Sequence, residues 1–360
     1  MIHSRIKNPA VILLGFLLLA PCILFGFDVI NVMYFTVSMI LAVYFCLLLV
    51  NFEIGFLTLI FMRSSLDYAK VTTENSAINV AAMASIILIL FGFFYIIYHK
   101  VNIWRYEETT PFLIFLGVCG ASIFFSSNYL QSVADWLRLL SVFFVYLLAR
   151  NIYISEKKIK IALVVIFLST LIPVLVAYYE FFAGSTSLGR LRGTFNHPNA
   201  FATYLLLILV FSLTQIMERK SFISRKMLIL AFLLTFFVFV MTLSIGAWIV
   251  FACTVGLMGL LRYRRLLGFM PIFLIFVVLL VPAVKSRIFD MLDPSLMRGH
   301  SSWEWRLKAW KDIFYLVQQR PFFGHGLSMV ELKLGYLAHN DYLRLLAEVG
   351  ILGLLAYLNL

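Results

Sequence analysis

Charge is what this chain has least of. Aspartate, glutamate, lysine and arginine make up 13% of its 360 residues, about half the share of a soluble globular domain. That shortage excludes an ordinary water-soluble enzyme. Cysteine is scarce too: Cys22, Cys46, Cys119 and Cys253 all fall inside apolar runs at no ligand spacing. They read as packing residues and leave no basis for a disulfide framework or a metal site. No Gly-, Ser- or Pro-rich linker divides the sequence, so residues 1–360 read as a single integral membrane bundle. No internal repeat is visible, which counts against an inverted-repeat transporter. Walker, DxD, HExxH and G-x-S-x-G patterns are missing, so nucleotide, metal and serine-nucleophile chemistry lack support and no cofactor is expected.

What the chain has in abundance is apolar sequence. Hydrophobic residues reach 63% and the mean hydropathy is +0.99, the composition of an integral membrane protein. The run from Pro9 to Phe27 follows His3, Arg5 and Lys7 and has the outline of a signal peptide. It continues almost directly into a second apolar run without a small-residue cleavage site, so it reads as a retained helix.

A crossing helix takes about 17 to 25 mostly apolar residues. On that measure the spans are 8–27, 29–50, 77–98, 111–127, 134–150, 160–181, 199–217, 227–243, 246–261, 266–284 and 339–360, with 53–63 short for a span. Charge decides the short one. If 53–63 crosses, the N-terminus, His99-Lys100 with Arg105, Arg150 to Lys160, Arg219 to Lys226 and Arg262 to Arg265 all fall on one side. Otherwise the positive-inside rule fails. The expected fold is therefore an all-α polytopic membrane protein of about twelve transmembrane helices. A long extracytoplasmic loop, 285–338, precedes the last of them, and Trp303, Arg306 and Trp310 recur there at the spacing of an amphipathic helix over about 302–319. Much of the +12 net charge then serves to orient the chain and implies no nucleic acid.

The outward side carries Arg190, Arg192, Lys285, Arg287, Arg298, Arg306, Lys308, Lys311, Arg320 and Lys333. Translocated loops avoid such density, so these cations call for an anionic partner, most economically a phosphate-bearing substrate. Three constellations concentrate the chemistry. In Arg190-Leu-Arg192-Gly193-Thr-Phe-Asn196-His197-Pro198-Asn199, Pro198 suits a first helical turn and Asn196 or His197 its cap. Gly193 permits a sharp bend or close approach. A polar turn explains all but the two arginines, so Arg190 and Arg192 are the functional candidates and His197 reads as a cap. In Trp303-Glu304-Trp305-Arg306 through Gly324-His325-Gly326, an interfacial aromatic belt accounts for nearly everything except Arg306. Gly324-His325-Gly326 reads as a turn and is weak as a phosphate loop.

The third constellation is His339-Asn340-Asp341-Tyr342-Leu343, followed by Glu348-Val-Gly350-Ile-Leu-Gly353. At a helix N-terminus the positive dipole end disfavours imidazolium and keeps the ring able to accept a proton. Asn340 and Asp341 are ordinary capping residues, and a lone histidine is more often a cap than a base. Glycines three apart fit close helix packing. Asp135 with Arg138, and Arg63 with Asp67, have the spacing of structural pairs.

These constellations, in this order and on this scaffold, resemble the O-antigen ligase and Wzy-type O-antigen polymerase superfamily. The likeness rests on Arg190, Gly193 and Asn199; on Arg306, Trp310, Pro321, Gly324 and Gly326; and on His339, Asn340, Leu343, Glu348, Gly350 and Gly353. It is clearest from about Arg190 to Gly353, with a looser likeness around Asp135-Trp136-Leu-Arg138. The resemblance implies a metal-independent glycosyltransferase in the bacterial cytoplasmic (inner) membrane, its active site facing the extracytoplasmic side. It would move a glycan from undecaprenyl pyrophosphate to a glycan or lipid acceptor. Carried over by motif, His339 is the catalytic base, Arg190 and less directly Arg306 bind pyrophosphate, and Gly193, Asn199, Asn340 and Asp341 support them. Family members often carry an arginine after the serine of the turn at Ser244, but this chain reads Ser244-Ile245-Gly246. Arg192 or Arg287 is then the substitute cation. The chain also stops at Leu360 inside its last apolar run, which fits a short or a truncated member.

A transporter or flippase for an anionic glycolipid is the alternative from another class. It too would want outward arginines, but also charge deep in the spans and helices broken near the midplane. The nearly charge-free interior favours the enzyme. The topology is open to a direct check. Cysteines at Ser187 or Ser301 should react with an impermeant thiol reagent added from outside, and a cysteine at Ser221 should not. Labelling at Ser221 alone would overturn the outward placement of every candidate residue.

Overall fold

The computed structural model of the protein describes residues 51–65, 80–186, 189–218, 223–268 and 302–360. The expected spans at 8–27 and 29–50, nearly all of 266–284, the loop residues 285–301 and Asp67 lie outside the described residues. Numbered over the described residues, α1 is Phe52–Arg63, α2 Val80–Tyr98, α3 Thr109–Ser122, α4 Tyr129–Ile152, α5 Glu156–Ser169 and α6 Leu171–Phe182. Then come α7 Pro198–Met217, α8 Arg225–Met241, α9 Ile245–Leu261, α10 Ser302–Gln319, α11 Met329–Leu334 and α12 Asp341–Leu358. The all-helical expectation holds for these residues, with short 3-10 turns at Ile103–Arg105 and Ile123–Phe125. Three stretches are long and apolar enough to cross a membrane: Tyr129–Ile152, Glu156–Phe182 and Pro198–Met217. Ser85–Tyr98, Thr109–Phe125 and Ile245–Leu261 are apolar but shorter.

The chain divides into two compact units, one from 1–81 and 153–293, the other from 82–152 and 294–360. In the first, α7, α8 and α9 enclose Phe201, Leu205, Leu209, Phe236, Phe239 and Phe251, all buried. Among apolar helices in a lipid-like setting such a core coheres by close packing more than by exclusion of water. Helix α1 runs parallel to α5. Lys158 Nζ meets Glu53 Oε2 at 2.7 Å near the start of both helices, and Ser64 Oγ donates to Ser169 O at 2.9 Å at the end of both. At 12 residues α1 is about 18 Å long, well short of a hydrocarbon core of about 30 Å.

The expected span 160–181 is not one continuous helix. Pro173 has no N–H to give to Ser169 O, four residues back, so that carbonyl is released where α5 ends and α6 begins. The Ser64 hydroxyl takes it up. Tyr204 of α7 closes the gap from the other side, its hydroxyl 2.9 Å from Ser169 Oγ and 3.2 Å from Thr170 Oγ1.

The second unit is organised by a larger break. Helix α12 is interrupted at Gly350, where φ is 70° and ψ −174°. Ile351 N would ordinarily bond to Ala347 O within the helix. Instead Ile351 N donates to Pro321 O at 2.8 Å, and Ala347 O accepts from His325 N at 2.9 Å. Gly326 N adds a bond to Glu348 O at 2.8 Å. The segment 321–326 is thus a backbone strap across the broken helix. Only glycine fits the contact: a Cβ on Gly350 would collide with the Phe322 carbonyl, and one on Gly324 with the Glu348 backbone. The expectation of a simple turn at Gly324-His325-Gly326, and of Gly350 as a packing glycine within an unbroken span 339–360, is corrected here. A broken helix is what a transporter would offer its ligand, but this break has its backbone groups taken up by protein.

Below the break α12 packs on α3, with Phe115 and Tyr357 rings 5.7 Å apart. Above it, α10 lays a buried stripe of Ile313, Leu316 and Val317 against Val330, Ala338 and Ala347. Over the stretch read as an amphipathic helix, α10 runs from Ser302 to Gln319. Its apolar stripe faces protein, while Leu307, Lys308, Lys311, Phe314 and Tyr315 are exposed.

Because φ near +70° and a carbonyl in van der Waals contact both exclude a side chain, Gly350→Ala should destabilise the protein by about 2 kcal/mol or more. Gly256→Ala, at a helical position with no neighbour in the way, should be neutral. Thermal unfolding in detergent followed by tryptophan fluorescence reads both. Equal melting temperatures for the two variants would refute the strap.

Candidate functional site

The sequence candidates fall into one cluster in each unit. In the second unit His339 precedes α12 in the left-handed region, φ 49°. Asn340 then caps the helix, its Oδ1 accepting from Tyr342 N and Leu343 N, both at 3.1 Å. The capping role expected for Asn340 holds, and Asp341 is the first helical residue, paired with Arg344 at 3.2 Å. His339 therefore does not cap the helix; it stands one residue outside it. Trp310 of α10 fixes the approach, donating from Nε1 to Ala338 O at 3.1 Å. Tyr336, three residues before His339, donates to Asp312 Oδ2 at 2.5 Å, and burial with this bond pushes its hydroxyl up to about 12.

His339 is open to solvent as a residue, yet its ring is desolvated enough that burial is the first cause holding its pKa below the ordinary imidazole value. The Arg306 guanidinium lowers it further. The direction is the one the helix terminus predicts, but the causes are desolvation and a neighbouring cation. Arg306 is half-buried on α10, so its guanidinium acts on the His339 imidazole just before α12.

His325 has both ring nitrogens engaged. It is buried, with Nε2 2.9 Å from Leu316 O and Nδ1 2.7 Å from Lys333 Nζ. The ammonium can only donate, so Nδ1 accepts and Nε2 carries the proton. Burial, with Lys333 and Arg320 nearby, keeps this imidazole below its usual range, and it serves as a brace between α10 and α11. Asp135 pairs with Arg138 as its spacing suggested, and accepts as well from Ser328 and from Gln131 Nε2. Glu348, also buried, turns its carboxyl to the start of α11, where Val330 N lies 3.4 Å from Oε1.

In the first unit the Arg190–Asn199 loop runs between α6 and α8. Arg190 donates from Nε to Thr242 O at 2.8 Å and from a terminal nitrogen to Asn199 Oδ1 at 2.6 Å. A cation on the last carbonyls of α8 also answers that helix's negative end. Arg190 and Asn199, matched separately by sequence, are thus direct partners. Leu191 N bonds to Met241 O at 3.1 Å. Gly193 has φ 56°, and a Cβ there would stand 2.6 Å from Pro173 O, so the glycine serves both a turn and a close approach. His197 caps α7 as expected, its Nδ1 accepting from Asn199 N at 3.1 Å.

Sequence reasoning missed Glu180. This buried carboxyl of α6 accepts from Arg192 N at 3.0 Å and Gly193 N at 2.9 Å on one oxygen, and faces Arg192 Nε at 3.6 Å with the other. The available signal was an acid inside an apolar run, which is by itself a mark of function or pairing. Among the described residues no group of three or more His, Cys, Asp or Glu side chains is arranged to hold a metal.

No curated protein and no solved structure matches the chain. Residues 230–358 match the family model described as O-antigen ligase. Arg306, His339, Asn340 and Asp341 lie inside that stretch; Arg190, Arg192, Gly193 and Asn199 precede it. With membrane-type helices and this match over the strap, the His339 turn and the broken α12, the chain carries a domain of the O-antigen ligase and polymerase superfamily.

Proposed function

We propose that the protein is a membrane glycosyltransferase that moves a glycan from undecaprenyl pyrophosphate to an acceptor hydroxyl at the outer face of the bacterial cytoplasmic membrane. It would act as an O-antigen ligase or a polysaccharide polymerase. The observation that carries this reading is His339, kept neutral by desolvation and by Arg306, inside the stretch that matches the O-antigen ligase family. His339 takes the proton of the acceptor hydroxyl while that oxygen attacks the anomeric carbon. The bond from the anomeric carbon to the pyrophosphate breaks, and undecaprenyl pyrophosphate leaves with the electron pair. A single displacement inverts the anomeric configuration. Arg306 is assigned to the growing negative charge on the leaving group, as are Arg190 and Arg192 by their chemistry, and such electrostatic stabilisation is the dominant contribution in reactions of this kind. No metal or cofactor enters this scheme.

Removing the base tests the scheme most directly. His339→Gln keeps size and polarity but cannot accept the proton, so transfer should fall about 100- to 10,000-fold. Radiolabelled lipid-linked glycan with purified protein reads this. Turnover near the wild-type rate would reduce His339 to a structural role. Product analysis in the same assay separates transfer to a different lipid from chain lengthening.

Electrostatics gives a second test. A lowered His339 pKa means the base stays neutral, and active, to a lower pH than an ordinary imidazole of about 6.5. Arg306→Ala removes one of the two causes of that lowering, so His339 should protonate at higher pH. The acidic limb of kcat/KM should then move alkaline while overall transfer drops. Arg306→Lys should restore the limb more fully than the rate, because lysine keeps the charge but not the planar fork. An unmoved limb in Arg306→Ala would sever the two residues.

A further inference from the structure

Glu180 and Glu348 are the two buried carboxyl side chains among the described residues. Burying a carboxylate among apolar helices is costly unless it is met by hydrogen-bond donors and a counter-charge. Glu180 has both. One oxygen accepts from two consecutive amides, Arg192 N at 3.0 Å and Gly193 N at 2.9 Å. The other oxygen lies 3.6 Å from Arg192 Nε, an ion pair without a close hydrogen bond. On the α6 side the loop runs so close that a Cβ on Gly193 would stand 2.6 Å from Pro173 O. On the opposite side Leu191 N and Arg190 Nε hold Met241 O and Thr242 O of α8. The backbone amides of Leu191, Arg192 and Gly193 are thereby all hydrogen-bonded, and the Arg192 side chain remains 37% exposed.

We infer that Glu180 is a positioning residue for Arg192: it fixes the backbone from which the guanidinium projects and orients that guanidinium from its Nε side. A guanidinium held at Nε keeps its outer pair of terminal nitrogens for a second anion, and that pair matches the oxygens of a phosphate. The inference rests on the proposed transfer reaction, in which Arg192 grips the pyrophosphate of the donor.

Two substitutions separate anchoring from orientation. Glu180→Gln retains an oxygen for the two amides but presents an NH2 group, a donor against a donor, to Arg192 Nε. Glu180→Ala removes both functions. By hydrogen exchange read by mass spectrometry, the peptide containing Arg192 and Gly193 should stay protected in Glu180→Gln and lose protection in Glu180→Ala. Exchange in Glu180→Ala as slow as in the wild type would overturn the anchoring role, whatever the enzyme does. In the transfer assay Glu180→Gln should lower kcat/KM for the lipid-linked donor about tenfold, and should cause no further loss when Arg192 is already alanine, the coupling expected of direct partners. A full additional loss in the Arg192→Ala background, or wild-type kcat/KM in Glu180→Gln, would overturn the inference. Failure of the transferase reading looks different: no variant, nor the wild type, would transfer glycan, while the exchange pattern would stand.

Discussion

Backbone amides and carbonyls released inside apolar surroundings must find partners in the protein, since hydrocarbon offers none. Much of what this molecule does locally follows from that constraint. At Gly350 the last helix gives up its own pairing, and the strap at 321–326 supplies both the carbonyl for Ile351 and the amides for Ala347 and Glu348. The strap in turn fixes where α10 and α11 sit on α12, through the His325 brace to Leu316 and Lys333. The turn bearing His339 is what remains between those anchored pieces. Pro173 poses the same problem on a smaller scale, and Ser64 answers it.

Buried carboxylates extend the pattern. Glu180 and Glu348 each point from a helix toward the amides of another segment, one at the Arg192 loop and one at the start of α11. A carboxylate can accept from several amides at once, so one acid on a rigid helix can hold an irregular segment that has no regular pairing of its own. Irregular backbone is where Arg190, Arg192 and His339 are found, while Arg306 stands on α10, and rigid support is what a site of this kind requires.

Local signals were legible in the sequence. The spacing of Trp303, Arg306 and Trp310 pointed to a helix where α10 lies, Asn196 or His197 before Pro198 pointed to the cap of α7, and Asn340 to that of α12. The left-handed or crowded glycines were visible as glycines, but not what crowds them. Gly350 and Gly353 looked alike in sequence; one packs within the helix and the other breaks it. Partners distant in sequence were not legible at all. Asp135 could be matched to Arg138 three residues on, but nothing marked Ser328, 193 residues away. Glu180 was hidden for the same reason: its partners are a loop's amides, and an amide carries no sequence signature.

The second unit is discontinuous in the chain, and this bears on the order in which the protein is made. Its first part, through Ile152, leaves the ribosome before residues 153–293 of the other unit, and its remaining part follows them. Ser126, Ser132 and Asp135 have partners in Leu327, Ser328 and Met329 that do not yet exist when α3 and α4 enter the membrane. Completion of the second unit is therefore a late event, set by arrival of the strap and α12, and a stalled or clipped chain lacking them would display an unfinished polar face for quality-control proteases to recognise.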